Sequence, residues 1–301
     1  MNETQKRILA LKAEKGALIL AHYYQTMDIQ EIADIVGDSF ELAKQAKAAG
    51  QQIIVLCGVK FMAESAKILN PGKTVLLPVL DAGCPMADMI TPDDVLRLRK
   101  EHPDAAVVCY INSSAAVKAV SDICCTSSSA VRVVRSLPQK KIVFIPDKNL
   151  GAYVASQVPE KEFVFYNGFC PVHNGVTLRD VLAAKEAHPG AKVLVHPECR
   201  PEVLSHADYI GSTKGILEYA AASGADEFVI GTEKGVAERL GSLAPDKRYY
   251  VMTDRFTCSD MKKTRLSDVL RCLETGTYEI QMTPEEISAA YQSLDRMIRV
   301  P

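Results

Sequence analysis

Three stretches of the chain begin alike and stay in step for most of their length. GALILAHYY from Gly16, DAAVVCYIN from Asp104 and GAKVLVHPE from Gly190 are short apolar runs that end abruptly in polar residues. A strand buried on both faces of a parallel sheet reads this way when it delivers side chains to a site at its carboxyl end. Aligning the runs pairs His22, Tyr110 and His196, spaced 88 and 86 residues apart. A repeat of that length is the strongest constraint on the fold, because each copy must be one structural unit.

The alignment generates further matches. Seventeen residues after each anchor stands a hydroxyl residue, Ser39, Ser127 or Thr213, where a small polar cluster precedes a helical pattern. Second buried strands follow at QQIIVLCG, KKIVFIPD and DEFVIGTE, helices at MAESAKIL, LGAYVAS and KGVAERLG, and third strands at TVLLPVL, EFVFYN and YYVMTD. One cysteine comes after each third strand: Cys84, Cys170 and Cys258. Helical segments TPDDVLRLRKEHP and TLRDVLAAKEAHP lead into the next copy, and RLSDVLRCLETG follows the last.

Strands alternating with helices imply parallel βαβ units with helices on both faces of each sheet. The expected fold class is therefore α/β: three homologous α/β/α domains with short parallel sheets around a pseudo-threefold axis. The expected divisions are residues 1–90, 91–176 and 177–301, the last including a C-terminal helical segment. A length of 301 residues taken alone suggests two domains, but no Pro/Gly/Ser-rich linker divides the chain in that way.

Composition excludes several classes. Thirty-five Lys+Arg against thirty-seven Asp+Glu leave a net charge of −2, without the basic excess of a nucleic-acid binder. Trp is absent, so large stacking platforms are not expected. Runs such as Ile53–Cys57 and Val75–Leu80 are too short to cross a bilayer. MNETQKRILALKAEK mixes charged and apolar residues and lacks the unbroken stretch of a signal peptide. A cytoplasmic location follows as the expectation, with thiols kept reduced. Nine cysteines in that setting, with no C-x-x-C pair, need a reason.

Three thiols, one per domain, can meet on the threefold axis. Thiolates suit iron–sulfur clusters, zinc or Cu(I). A four-iron cubane normally takes four cysteines; three leave one iron open, as an open coordination position marks catalytic zinc. A lone cysteine is more often inert packing, but three at matched positions favour a metal. Cys57, Cys109, Cys124, Cys125, Cys199 and Cys272 lack that match and are read as core. At the strand ends, His22 with Tyr24, Tyr110 with Asn112, and His196 with Glu198 place two polar groups at i and i+2, one face of a strand. They offer acid–base groups and hydrogen-bond donors around one point, and His173, three residues after Cys170, shares that neighbourhood. Ser39, Ser127 and Thr213 at helix starts can present N–H groups and hydroxyls to carboxylates or phosphate. Plain capping explains any one of them equally well. No turn is a Walker loop or a G-x-G-x-x-G fingerprint, so nucleotide binding is not indicated.

The segment AHYYQTMDIQEIADIVGDS (Ala21–Ser39), CYINSSAAVKA (Cys109–Ala119), NGFCPVH (Asn167–His173) and VHPECRPEV (Val195–Val203) closely resemble the quinolinate synthase family, also called quinolinate synthetase A. The resemblance covers essentially the whole chain. It implies three α/β/α domains and a central 4Fe–4S cluster, one per chain with three cysteine ligands. It also implies condensation of iminoaspartate with dihydroxyacetone phosphate to quinolinate for NAD biosynthesis, with phosphate and two waters released. By motif, Cys84, Cys170 and Cys258 would hold the cluster. His22, Ser39, Tyr110, Asn112, Ser127, His196, Glu198 and Thr213 would bind substrate, and Glu198, Tyr24, His22 and His173 would be catalytic. Glu198 is assigned as the proton acceptor, with burial expected to raise its pKa. The implied partners are the two small substrates, with a transient contact with the upstream aspartate-oxidising enzyme, and neither nucleic acid nor membrane. Some members carry C-x-x-C-x-x-C at the third ligand; here only Cys258 stands in TDRFTCSDM.

The rival from another class is a non-enzymatic iron–sulfur electron carrier or sensor. It would favour four protein ligands and would need no His/Glu/Tyr constellation. Another dehydratase with an open iron, and a structural three-cysteine zinc protein, are the remaining alternatives.

Overall fold

A computed structural model describes residues 1–301. Its strands are β1 (Ala17–His22), β2 (Ile35–Gly37), β3 (Ile53–Cys57), β4 (Thr74–Leu76), β5 (Ala106–Tyr110), β6 (Ile123–Cys125), β7 (Lys141–Ile145), β8 (Glu162–Phe165), β9 (Lys192–Val195), β10 (Tyr209–Ile210), β11 (Glu227–Gly231) and β12 (Arg248–Val251). They form three four-stranded sheets in the orders β2-β1-β3-β4, β6-β5-β7-β8 and β10-β9-β11-β12. Every pair is parallel, and the registers match as well: Leu20 faces Ile35, Val108 faces Ile123 and Leu194 faces Tyr209. The α/β reading with a threefold repeat therefore holds at the level of strand pairing.

Each sheet also carries a strand that the periodicity does not reveal. β2, β6 and β10 are two or three residues long, too short to show an alternation. A matched aspartate fastens each of them. Asp34, Asp122 and Asp208 accept the backbone N–H of Ile19, Val107 and Val193 at 2.8, 2.7 and 2.8 Å. Their own N–H groups donate to the carbonyls of the same residues. One carboxylate thus extends the ladder where the strand ends, satisfying buried backbone groups.

β1 is buried along its whole length, as is β5, because helices cover both faces of the sheets. The helix after each domain packs on the next one. Pro92–Glu101 contacts the second domain's Ala115–Ala119, and Leu178–Ala187 contacts the third domain's Pro201–Leu204. Leu266–Thr275 returns to Glu3–Lys15 and β3, closing the ring. The final helix, Pro284–Arg299, lies across Lys60–Leu69, Ala115–Ala119 and β6, burying Ala290, Leu294 and Met297. Two such large side chains contribute roughly 1.5–3 kcal/mol each to holding the first two domains together. The same seam holds the fully buried Lys118, whose ammonium donates to Ser113 O at 2.8 Å, Ser65 Oγ at 3.0 Å and Phe61 O at 3.3 Å. No helix is long and apolar enough to cross a membrane.

Candidate active site

The carboxyl ends of β1, β5 and β9 converge on a cavity of about 160 Å3 with walls from all three domains. Cys84, Cys170 and Cys258 line it. So do His22, Tyr24, Ser39, Tyr110 and Asn112, together with Ser127, His173, His196, Glu198 and Thr213. Every residue singled out from the sequence is therefore brought to one place, because equivalent positions on three sheets point at one axis. No lysine or arginine lines the cavity.

The strand ends differ in detail from the i, i+2 reading. β1 stops at His22 and β9 stops before His196, so Tyr24 and Glu198 sit in turns. Each turn is closed alike: Tyr24 N–H donates to His22 Nδ1 at 3.1 Å, and Glu198 N–H to His196 Nδ1 at 3.3 Å. The hydroxyl turns also need a correction. Ser39 and Thr213 are the first helical residues of Ser39–Ala48 and Thr213–Ala222, while Asp38 and Ser212 do the capping. In the second domain the helix begins only at Ala130, three residues beyond Ser127. Capping does not occupy the three matched hydroxyls, and all three residues line the cavity, with Thr213 Oγ1 bonded to Tyr24 OH.

A continuous row of acid–base groups crosses the site. Tyr110 OH donates to Glu198 Oε1 at 2.7 Å. Glu198 Oε2 lies 2.8 Å from His173 Nδ1 and 3.6 Å from His196 Nδ1. His173 Nε2 is 3.0 Å from Thr232 Oγ1, which is 2.9 Å from Tyr24 OH. Thr213 Oγ1 donates to Tyr24 OH at 3.1 Å. Thr232, wholly buried, joins the histidine to the tyrosine, and no sequence pattern marks it. It follows β11 directly in DEFVIGTE, a segment whose matched register points only to a strand.

Electrostatics sort these groups. Burial pushes His22 and His196 down to about 3, so both imidazoles are neutral near pH 7. Burial also drives the Tyr24 and Tyr110 hydroxyls well up, and both stay protonated. The expected rise at Glu198 is overturned. Burial does push its carboxyl up, but the hydrogen bonds from His173 and Tyr110 outweigh it, and the group lies below the usual carboxylate range. It is an ionised acceptor held by donors.

The three matched cysteines stand apart from the others. They are half-buried at the cavity wall, while Cys57, Cys109, Cys124, Cys125, Cys199 and Cys272 are buried. Burial pushes the Cys84 thiol up to about 12 and those of Cys170 and Cys258 upward. Cys170 Sγ, His173 and Glu198 offer donor atoms within 4.8 Å of one another, with His173 Nδ1 3.2 Å from the sulfur. A buried acid braces two of the cysteine turns. Asp147 Oδ2 accepts Cys170 N–H at 3.0 Å, and Glu233 Oε1 accepts Cys258 N–H at 3.4 Å.

Fold and site together define an α/β enzyme of three similar domains, with its acid–base groups and three thiols in one shared cavity. The family model described as quinolinate synthetase A protein (NadA) matches residues 6–299. A quinolinate synthase of Caldicellulosiruptor saccharolyticus is 51% identical over 300 residues, covering 100% of this chain and 99% of the relative. One of Caldicellulosiruptor bescii is 52% identical over 296 residues, covering 98% of each. One of Methanoregula boonei is 51% identical over 294 residues, covering 98% of this chain and 97% of the relative. The chain belongs to the quinolinate synthase family.

Proposed function

We propose that this chain condenses iminoaspartate with dihydroxyacetone phosphate to give quinolinate, phosphate and two waters, as a cytoplasmic step of NAD biosynthesis. The observation that carries the reading is the separation of the cysteines. Of nine, the three that face the cavity are the three at matched positions, one from each domain. The donor set fits an iron–sulfur cluster. Thiols whose protons are held tightly by burial release them to a soft cation, and three thiolates with no fourth cysteine at the cavity suit a 4Fe–4S cluster with one open iron. When bound, that cluster supplies a Lewis-acid position beside the acid–base row.

The geometry supports a part for each group of the row. Glu198, ionised and aligned by Tyr110 and His173, takes the protons released in enamine formation and aromatisation. Tyr24, kept protonated and aimed by Thr232 and Thr213, donates to the triose carbonyl or departing oxygen, with neutral His22 packed edge-on against its ring at 4.5 Å. The row through His173 and Thr232 can return a proton from one side of the cavity to the other. Substrate anions meet no lysine or arginine in the cavity wall. Their charge is met instead by the N-termini of Ser39–Ala48 and Thr213–Ala222, with the hydroxyls of Ser39, Ser127 and Thr213. Asn112 Oδ1 is buried without a partner; a buried amide oxygen left unpaired is costly, and a substrate donor would satisfy it.

The test is anaerobic reconstitution with iron and sulfide, addition of iminoaspartate and dihydroxyacetone phosphate, and detection of quinolinate. Product formation is expected. A fully reconstituted protein that makes none would overturn the proposal.

A further inference from the structure

The turn that carries Tyr24 belongs to the first domain, but the third domain holds it by its backbone. Lys262, four residues after Cys258, donates from Nζ to Tyr24 O at 2.6 Å. The same ammonium lies 3.1 Å from Glu233 Oε1 and 3.3 Å from Oε2. The Glu233 side chain is wholly buried and that of Lys262 is 16% exposed. Glu233 in turn accepts Gly235 N–H at 2.8 Å and Cys258 N–H at 3.4 Å. A second strap runs beside the first, as Gln25 Nε2 donates to Met261 O at 2.7 Å. Contact is so close that a Cβ on Gly235 would sit 2.7 Å from Tyr23 O and 3.2 Å from Tyr24 Cα.

The same device appears one step around the ring. Asn149 of the second domain donates to the carbonyl of Glu198 in the third at 3.0 Å, and Glu198 is the repeat partner of Tyr24. In both places a donor from the neighbouring domain grips the carbonyl of an acid–base residue. Only the third domain does it with an ion pair. The residue matching Glu233 in the first domain is Val59, and the one matching Lys262 in the second is Asn174.

We propose that Glu233 and Lys262 are positioning residues. Their ion pair locks the Cys258 turn to the backbone of the His22–Gln25 turn, so that the thiol and the Tyr24 hydroxyl keep one fixed spacing across a domain boundary. A flexible join here would let the tyrosine drift from the reacting atoms, and small misplacements of that kind are costly in rate. The role given to Tyr24 rests on the function proposed above, whereas the clasp itself does not.

The experiment is therefore read in two ways on the full chain, with Lys262→Met, Glu233→Gln and the double variant. Amide hydrogen exchange of the protein without substrates needs no turnover. Lys262→Met should speed exchange about ten-fold in peptides covering His22–Gln25 and Cys258–Lys262, with the strands of all three sheets unchanged. In quinolinate formation, kcat should fall about 10- to 100-fold, the usual effect of removing a group that orients a ligand's surroundings, with KM within two-fold. The double variant should lose less than the product of the two single losses, since both break one link. Exchange within two-fold of the parent at both turns would overturn the proposal. So would a rise spread evenly over all three sheets, which would mark general loosening. If the parent makes no quinolinate but exchange rises at the two turns alone, the clasp stands and the proposed reaction falls.

Discussion

Replacing Glu198 by glutamine tests the acid–base assignment at its centre. The amide fills the same space, and its oxygen can still accept from Tyr110 OH, which lies 2.7 Å from Oε1. Its NH2, however, would face His173 Nδ1, now 2.8 Å from Oε2, so a donor would meet a donor unless the imidazole changed tautomer. The variant loses the negative charge and with it the ability to take a proton. Loss of a general base costs on the order of 10²–10⁴ in rate, equivalent to about 3–5 kcal/mol in the barrier. Because hydrogen bonds from His173 and Tyr110 hold the carboxyl below the usual range, the parent should keep this activity through neutral pH and lose it only in acid. The assay is kcat for quinolinate at matched iron content, across pH 6–9. A Glu198→Gln enzyme within ten-fold of the parent, with the cluster intact, would refute the base assignment.

Other outcomes follow from the same geometry. Cys84→Ala, Cys170→Ala and Cys258→Ala should each abolish stable iron retention on reconstitution, while Cys57→Ala and Cys272→Ala, both deep in the first domain's core, keep full iron and lose only packing energy, about 1–2 kcal/mol in denaturant melts. Thr232→Val removes both hydroxyl contacts between His173 and Tyr24; it should lower kcat about 10- to 100-fold and cost about 1–3 kcal/mol of stability, because the buried imidazole loses a partner. His22 and His196 are held neutral down to about 3 in the fold, against about 6.5 when unfolded. Stability of the apo protein should therefore be full above pH 6.5 and fall steadily toward pH 3; His196→Asn should flatten that slope in denaturation midpoints. Lys118→Met should cost about 1–3 kcal/mol, because it refills the volume but leaves the buried Ser113 O without the ammonium that donates to it at 2.8 Å. Lys118→Ala should cost about 2–4 kcal/mol by opening a cavity at the domain seam.

What the sequence made legible is what the three copies share. Buried strands, the helices between them and the polar residues at their ends recur at fixed offsets, so His22, Tyr110 and His196 could be laid on one another without coordinates. The cysteines follow the same logic: one thiol after the third strand of each copy can meet the other two where the copies open on one cavity. Short features escaped because two or three residues carry no period, and only the Asp34, Asp122 and Asp208 contacts explain why β2, β6 and β10 form. Features specific to one copy escaped too. Thr232 contacts two groups distant in sequence, His173 and Tyr24, and Lys262 meets a carbonyl 238 residues away. Neither has a local pattern. The direction of the Glu198 shift is not legible either, because burial is readable from an apolar strand, whereas the proximity of His173 exists only once the second and third domains meet.

On the proposed function, Cys84, Cys170 and Cys258 would hold a four-iron cluster that keeps one iron open to substrate. Mössbauer spectroscopy of the 57Fe-reconstituted protein, recorded with and without dihydroxyacetone phosphate and iminoaspartate, tests it directly. The account predicts iron in a 3:1 division, with one quarter of the signal shifted when substrates are added and the rest unchanged. Four irons indifferent to substrate, or a reconstituted protein that retains no cluster, would contradict it.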